Sequence, residues 1–125
     1  MGSKRNIILI CCLILLMGCT GYRPDPVTKA DVGRHAVYTV LHVIDWRQTR
    51  EIAANPDRWH EHNLILGEHP SRDKVDLYFA STWLGITAGA WLLPRGWRDG
   101  LQYLGIVIEG AYVGHNYSIG LKGEW

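Results

Sequence analysis

Apolar runs alternate with polar, proline-marked stretches along this chain, and the spacing of the runs predicts helices. The first run, Ile7 to Met17, follows Lys4 and Arg5 and ends at Gly18-Cys19. Gly21, Pro24 and Pro26 then deny regular structure to a tether over residues 19–27, which is expected to be mobile. From there Val37, Val40, Leu41, Ile44, Gln48 and Ile52 recur at three- and four-residue spacing, one face of a first helix over 28–54. Thr28 with Asp31 three residues on matches a capping box, and Asn55-Pro56 stops the helix. The connection that follows is hydrophilic, with a turn after Pro56. A small apolar patch, Leu64-Ile65-Leu66-Gly67, interrupts it and should fold back onto a neighbouring helix. Ser71 caps a second helix over 72–93, with Asp73 in its first turn. Pro94-Arg95-Gly96 is the next turn, and a third helix runs over 97–120.

These elements predict an all-α fold in one small domain, 28–125, whose last two helices pair as an antiparallel hairpin. Leu77 to Leu93 carries no formal charge over seventeen residues, at the lower edge of the roughly 20 that span a bilayer. Gly85 with Gly89, and Gly110 with Gly114, repeat at four-residue spacing, which lets helix backbones approach closely in lipid. The chain has six Trp and six Tyr but one Phe, Phe79, a choice that suits a membrane–water boundary. Together these features predict a membrane-embedded hairpin. The first helix, with His42 and Asp45 among its apolar residues, fits either the bilayer surface or a polar-containing span.

The N-terminal run is too short for a comfortable span and has the layout of a signal peptide over residues 1–18. Its end, Leu16-Met17-Gly18-Cys19, resembles the lipobox of bacterial lipoproteins, although Met17 stands where a small or β-branched residue is common. The resemblance implies cleavage before Cys19 and acylation of that cysteine. Cys11 and Cys12 leave with the signal, so no internal disulfide and no cysteine metal site is expected. Thr20 follows Cys19 where Asp would favour inner-membrane retention in Gram-negative lipoproteins. That leaves the outer membrane open, while the apolar helices favour the inner one.

Charge narrows the partners. Without Lys4 and Arg5 the 13 basic residues fall to 11 against 12 acidic ones, a formal charge of −1. There is no basic excess to hold a phosphate backbone, so nucleic acid is not an expected partner. Asp45 and Glu109 carry the main chemical interest, because a carboxylate in an apolar helix turns to the bundle interior or to water. Glu109 has Arg47 and Arg50 as candidate ion-pair partners, and Gln48, Thr49, Arg50 and Gln102 as candidates for a shared polar network. Structural glue between helices is the plainer reading of that set, and a small-ligand or proton site the sharper one. His42 shares a face with Asp45, and His60-Glu61-His62 is compact, but two ligands do not make a zinc site, so no metal or other cofactor is expected. His115 is placed to serve the last carbonyls of the third helix. No activated-nucleophile or phosphate-loop motif stands out.

The order Asp45-Trp46-x-Gln48-Thr49-Arg50, Asn55-Pro56-Asp57-Arg58, Asn63-x-Ile65-Leu66-Gly67-x-x-Pro70-Ser71 and Tyr78-Phe79 resembles a loose group of small uncharacterised bacterial and phage proteins, often with signal peptides. The middle motif there commonly reads Asn-Pro-Ile-Leu-Gly, and Leu64 replaces its proline here. The resemblance covers roughly residues 38–120 and implies a helical, membrane-associated fold with no activity attached. It singles out Asn63, Gly67, Pro70 and Ser71 as a loop motif, which should pack against the polar end of the first helix. The leading expectation is therefore a lipid-anchored envelope membrane protein acting through a protein partner or as a homo-oligomer. A ligand- or proton-binding membrane protein using Asp45 and Glu109, and a lipid-tethered periplasmic domain with hydrolase activity, are the alternatives.

Overall fold

The computed structural model describes residues 23–123. Within them the chain is all-α: α1 (Lys29–Ala54), α2 (Arg72–Leu92) and α3 (Arg95–Ser118) pack against one another. Cys19 and the lipobox lie outside the described residues, as does Trp125.

The helix starts follow local chemistry. Thr28 and Asp31 close the capping box, with the Asp31 amide donating to Thr28 Oγ1 at 3.2 Å and the Thr28 amide donating to Asp31 Oδ2 at 2.7 Å. Ser71 caps α2 through the Lys74 amide. The third helix begins two residues earlier than the sequence predicts. Pro94, in extended conformation, is its N-cap, and Arg98 N–H already donates to Pro94 O. Arg95 and Gly96 therefore form the first turn instead of the connection, because proline pre-sets the chain just ahead of a helix and Gly96 has space around it. Asp25 Oδ2 accepts from the Arg95 amide at 2.7 Å, filling a donor that a helix start leaves open. The end of the expected mobile tether is thus held: Arg98 also donates to the carbonyls of Asp25 and Pro26.

Cross-helix pairs give the topology. Residues 35, 39, 42 and 46 of α1 meet 87, 83, 79 and 76 of α2, so those helices run antiparallel. Residues 31, 34 and 42 meet 98, 102 and 109, so α1 and α3 run parallel. The second and third helices form the antiparallel hairpin. Between α1 and α2, Leu66 reaches down to Val75 and Phe79, covered by Trp46, Ala53 and Tyr78. Only Leu66 of the apolar patch folds back as expected, while Leu64 and Ile65 are exposed.

The predicted face of α1 is only partly inward: Gln48 and Ile52 are buried and Leu41 and Ile44 half-buried. Val37 and Val40 are exposed, and Val32 and Val43 join them. Asp31, His35, Tyr38, His42, Asp45, Thr49 and Ile52 are buried, alternating four and three residues apart as at the seam of a coiled coil, and Gln48 is buried beside them. Arg98, Gln102, Gly105 and Glu109 continue the same alternation on α3. Among the described residues ten polar or charged side chains are buried against eight apolar ones, the reverse of an ordinary soluble interior. A period-3.6 count of apolar residues therefore locates only part of the buried side of the helix.

No helix among the described residues is long and apolar enough to cross a membrane. The expected spanning hairpin gives way for a physical reason. The charge-free stretch of α2 is diluted by Ser81, Thr82, Thr87, two glycines and two tryptophans, and α3 carries Arg98, Asp99, Gln102 and Glu109. The glycine pairs also serve differently from the expected lipid-packing motif. A Cβ at Gly85 or Gly114 meets nothing within 4 Å, and at Gly110 only Leu41 at 3.9 Å, whereas at Gly89 it collides with the Leu101 side chain. The close approach on α3 is instead at Gly105, where a Cβ would stand 3.0 Å from the Tyr38 ring.

That contrast is testable by urea denaturation. Gly85→Ala should stabilise by about 0.5–1 kcal/mol through helix propensity alone. Gly105→Leu should destabilise by about 1–3 kcal/mol because Tyr38 has to move. Equal effects at the two sites would refute this assignment.

Candidate functional site

The seam between α1 and α3 holds two polar clusters. At one end Asp31, fully buried, receives Arg98 Nη1 at 3.2 Å and Arg34 Nη2 at 2.6 Å. Arg34 also reaches Asp99, and its Nε donates to Gln102 Oε1 at 2.8 Å. Gln102 Nε2 donates back to Asp31 O at 2.9 Å. Backbone donation from Thr28 holds the Asp31 carboxyl down at about 2, with Arg98 adding to it against the cost of burial. This end is densely paired, with only Arg98 Nε of its buried side-chain atoms left without a partner among the described residues, and reads as a structural clamp.

The middle cluster is chemically less settled. His42 Nε2 stands 2.9 Å from Phe79 O, and His42 Nδ1 stands 2.7 Å from Glu109 Oε1. Acceptors on both sides favour a ring that carries a proton on each nitrogen. Its pKa agrees in direction. Burial pushes it down, but the bonds to Glu109 and to the Phe79 carbonyl outweigh that and raise it. Tyr38 Oη is 3.3 Å from the same Nδ1, and burial followed by the Glu109 charge raises the Tyr38 phenol.

Asp45 lies one turn further along α1. Burial first, then the charges of Glu109 and Glu61, push its carboxyl up to about 8, while His42 opposes. Asn116 Nδ2 donates to Asp45 Oδ1 at 3.2 Å and to Gln48 Oε1 at 3.1 Å. Glu109 Oε2 is buried with no hydrogen-bond partner among the described N–H and hydroxyl groups. Asp45 lies within hydrogen-bonding reach of Glu109, and its raised pKa favours a protonated carboxyl there.

The residues expected to form one polar network are divided by the fold. Asp45, Gln48 and Glu109 belong to the middle cluster, and Gln48 also donates to Leu121 O at 3.1 Å. Gln102 belongs to the clamp. Thr49 is buried in the seam near Gln48 in sequence. Arg50 leaves the interior altogether and pairs with Asp76 across α2 at 2.6 Å, half-exposed, alongside Trp46. Glu109 therefore pairs with His42, and Arg50 with Asp76. Sequence reasoning missed His42 as that partner, and Asn116 and Tyr38 with it. The available signal was the four-three spacing of polar residues on α1, matched on α3.

The loop motif is built by its own backbone. Gly67 adopts φ 79°, and its amide donates to Asn63 O at 2.9 Å. Asn63 Oδ1 accepts from the Ile65 amide at 3.0 Å, Pro70 is buried and Ser71 is the α2 cap. Two grooves flank the middle cluster. One, of about 380 Å³, is bounded by His60, Glu61, His62, Tyr112, His115 and Asn116. The other, of about 370 Å³ and almost wholly apolar, has His42 beside Trp46, Phe79 and Trp83. His115 faces His62, with ring centroids 6.0 Å apart, in addition to lying in the last turn of α3. No protein-family model, no curated protein and no solved structure matches the chain.

The titrations give a signed expectation. Asp45 keeps its proton in the native state up to about pH 8 but loses it near 3.8 when unfolded, so stability falls as pH rises through that window. His42, also raised, adds stability that is complete below its ordinary 6.5 and lost as pH rises through its folded value. His35, lowered by burial, acts oppositely below 6.5. Asp31 contributes above its ordinary 3.8 and loses its effect only as pH falls toward 2. Thermal melting should therefore be higher near pH 5.5 than near 8.5, by about several degrees. Asp45→Asn, which keeps an acceptor for Asn116 and a donor for Glu109, should flatten that fall. A wild-type melting temperature that rises toward pH 8.5 would count against the assignment.

Proposed function

We propose that this protein is a lipid-anchored component of the bacterial envelope, held by acylated Cys19. Its helical domain rests against the membrane and acts through contact with another envelope protein or a second copy. The observation that supports this most is the inverted surface. Leu77, Leu84 and Leu92 on α2 and Leu104, Val107 and Ile108 on α3 are exposed, while Asp31, Asp45, Arg98 and Glu109 of the same bundle are inside. Scattered apolar residues are ordinary on a surface, but runs of them along two paired helices over a polar interior call for a covering phase. Trp97, 76% exposed, with exposed Tyr103, Tyr112 and Tyr117, suits the boundary between that phase and water. The hairpin in this reading lies along the bilayer instead of crossing it.

A narrower reading treats Asp45 and Glu109 as a proton- or small-ligand site. It is favoured by one feature: the cluster ends at two different grooves, through His42 on one side and Asn116 on the other. Replacing Glu109 with Gln removes the carboxylate facing His42, so the histidine should titrate at lower pH. Ring-proton NMR of His42 measures this, and an unchanged titration in a folded variant would remove Glu109 from the cluster.

Membrane contact is tested with Cys19→Ala carrying a cleavable secretory signal in place of its own. The lipid-free chain should sediment with membranes at neutral pH and come off in alkaline carbonate. Recovery in the soluble fraction at neutral pH would show that the acyl chains alone hold the protein, and the proposed membrane-facing surface would be refuted.

A further inference from the structure

We propose that the loop joining α1 to α2 binds one divalent transition-metal ion through His60, Glu68 and His69. Ligand atoms of these three side chains all lie within 4.8 Å of one another. His60 Nδ1 and Glu68 Oε1 are 3.4 Å apart, the separation that two ligands have around a tetrahedral ion with bonds of about 2.0–2.1 Å. The His60 and His69 ring centroids are 5.0 Å apart, against about 5.2 Å for two imidazoles sharing such an ion.

The backbone brings these groups together, although eight residues separate His60 from His69. Glu61 N–H donates to Glu68 O at 3.0 Å and clasps the two ends of the loop. The turn at Gly67 reverses the chain between them. Leu66, buried against Val75 and Phe79, and Lys74 Nζ, donating to Leu66 O at 2.6 Å, fix the loop to α2. The three side chains thus project from a fastened segment, not a free one.

A simple ion pair accounts for His60 and Glu68 but not for His69. When both rings are protonated they repel at this distance. When both are neutral, their lone pairs and the carboxylate converge, an arrangement a shared cation resolves. Two imidazoles and one carboxylate suit a borderline ion such as zinc, nickel or copper(II) better than magnesium or calcium. All three residues are exposed, so water completes the coordination, and the ion would brace the connection from outside.

The test is a zinc titration of the full chain in detergent, carrying a purification tag free of histidine and followed by calorimetry. Cobalt(II) absorption serves as the reporter of coordination geometry. The wild type should bind one equivalent, and His60→Ala and His69→Ala should each weaken binding at least about tenfold. His62→Ala and His115→Ala, which alter the neighbouring histidine pair, should leave it unchanged. Because the substituted side chains are exposed, circular dichroism of each variant should match the wild type. No saturable wild-type binding, or equal affinity in the His60→Ala/His69→Ala double variant, overturns the site. So does loss of binding on removing His62 or His115 instead.

Discussion

Matching the buried polar side chains of α1 with those of α3 is the constraint on which the rest of this structure depends. Arg98, Asp31, Gln102, His42, Glu109 and Asn116 sit where a bundle ordinarily places leucine and valine. Each is costly there unless its partner is in register. A slip of one turn would take Arg98 from Asp31 and His42 from Glu109 together. Buried ion pairs of this kind add little net stability compared with apolar packing, but they penalise wrong alignments heavily. The seam therefore selects one parallel arrangement of two helices that are not neighbours in sequence.

Putting polarity inside leaves apolarity outside. The faces of α2 and α3 that carry leucine, valine and isoleucine have no covering element among the described residues, and the small Leu66–Val75–Phe79 core does not change that balance. Asp25 lies six residues from Cys19 in sequence, and Arg95 and Arg98 grip the chain at Asp25 and Pro26.

The middle cluster shows how shared protons can replace fixed charges. Glu109 is faced by His42 and Tyr38 from α1, and Asp45 by Asn116 from α3 and by the charge of Glu61 from the connecting loop. Burial and the charges of Glu109 and Glu61 favour a protonated Asp45, so the proton inventory of the seam belongs to the set and not to any one residue.

Local chemistry was readable along the chain. The Thr28–Asp31 box, the Asn55-Pro56 stop and the Ser71 cap each follow from interactions spanning three or four residues, and they place three helices and a hairpin. Even there Pro94 moved a boundary, since Asp25 supplies an acceptor for the first turn of α3 from seventy residues away. Asp45 and Glu109 were recognisable as carboxylates that had to face inward. Their partners were not, because His42, Asn116 and Tyr38 become neighbours only when α1 and α3 pack. The inward face of α1 was likewise decided by tertiary contact. Apolar and polar residues both recur at helical spacing on it, and only the charged groups waiting on α3 determine which side is buried.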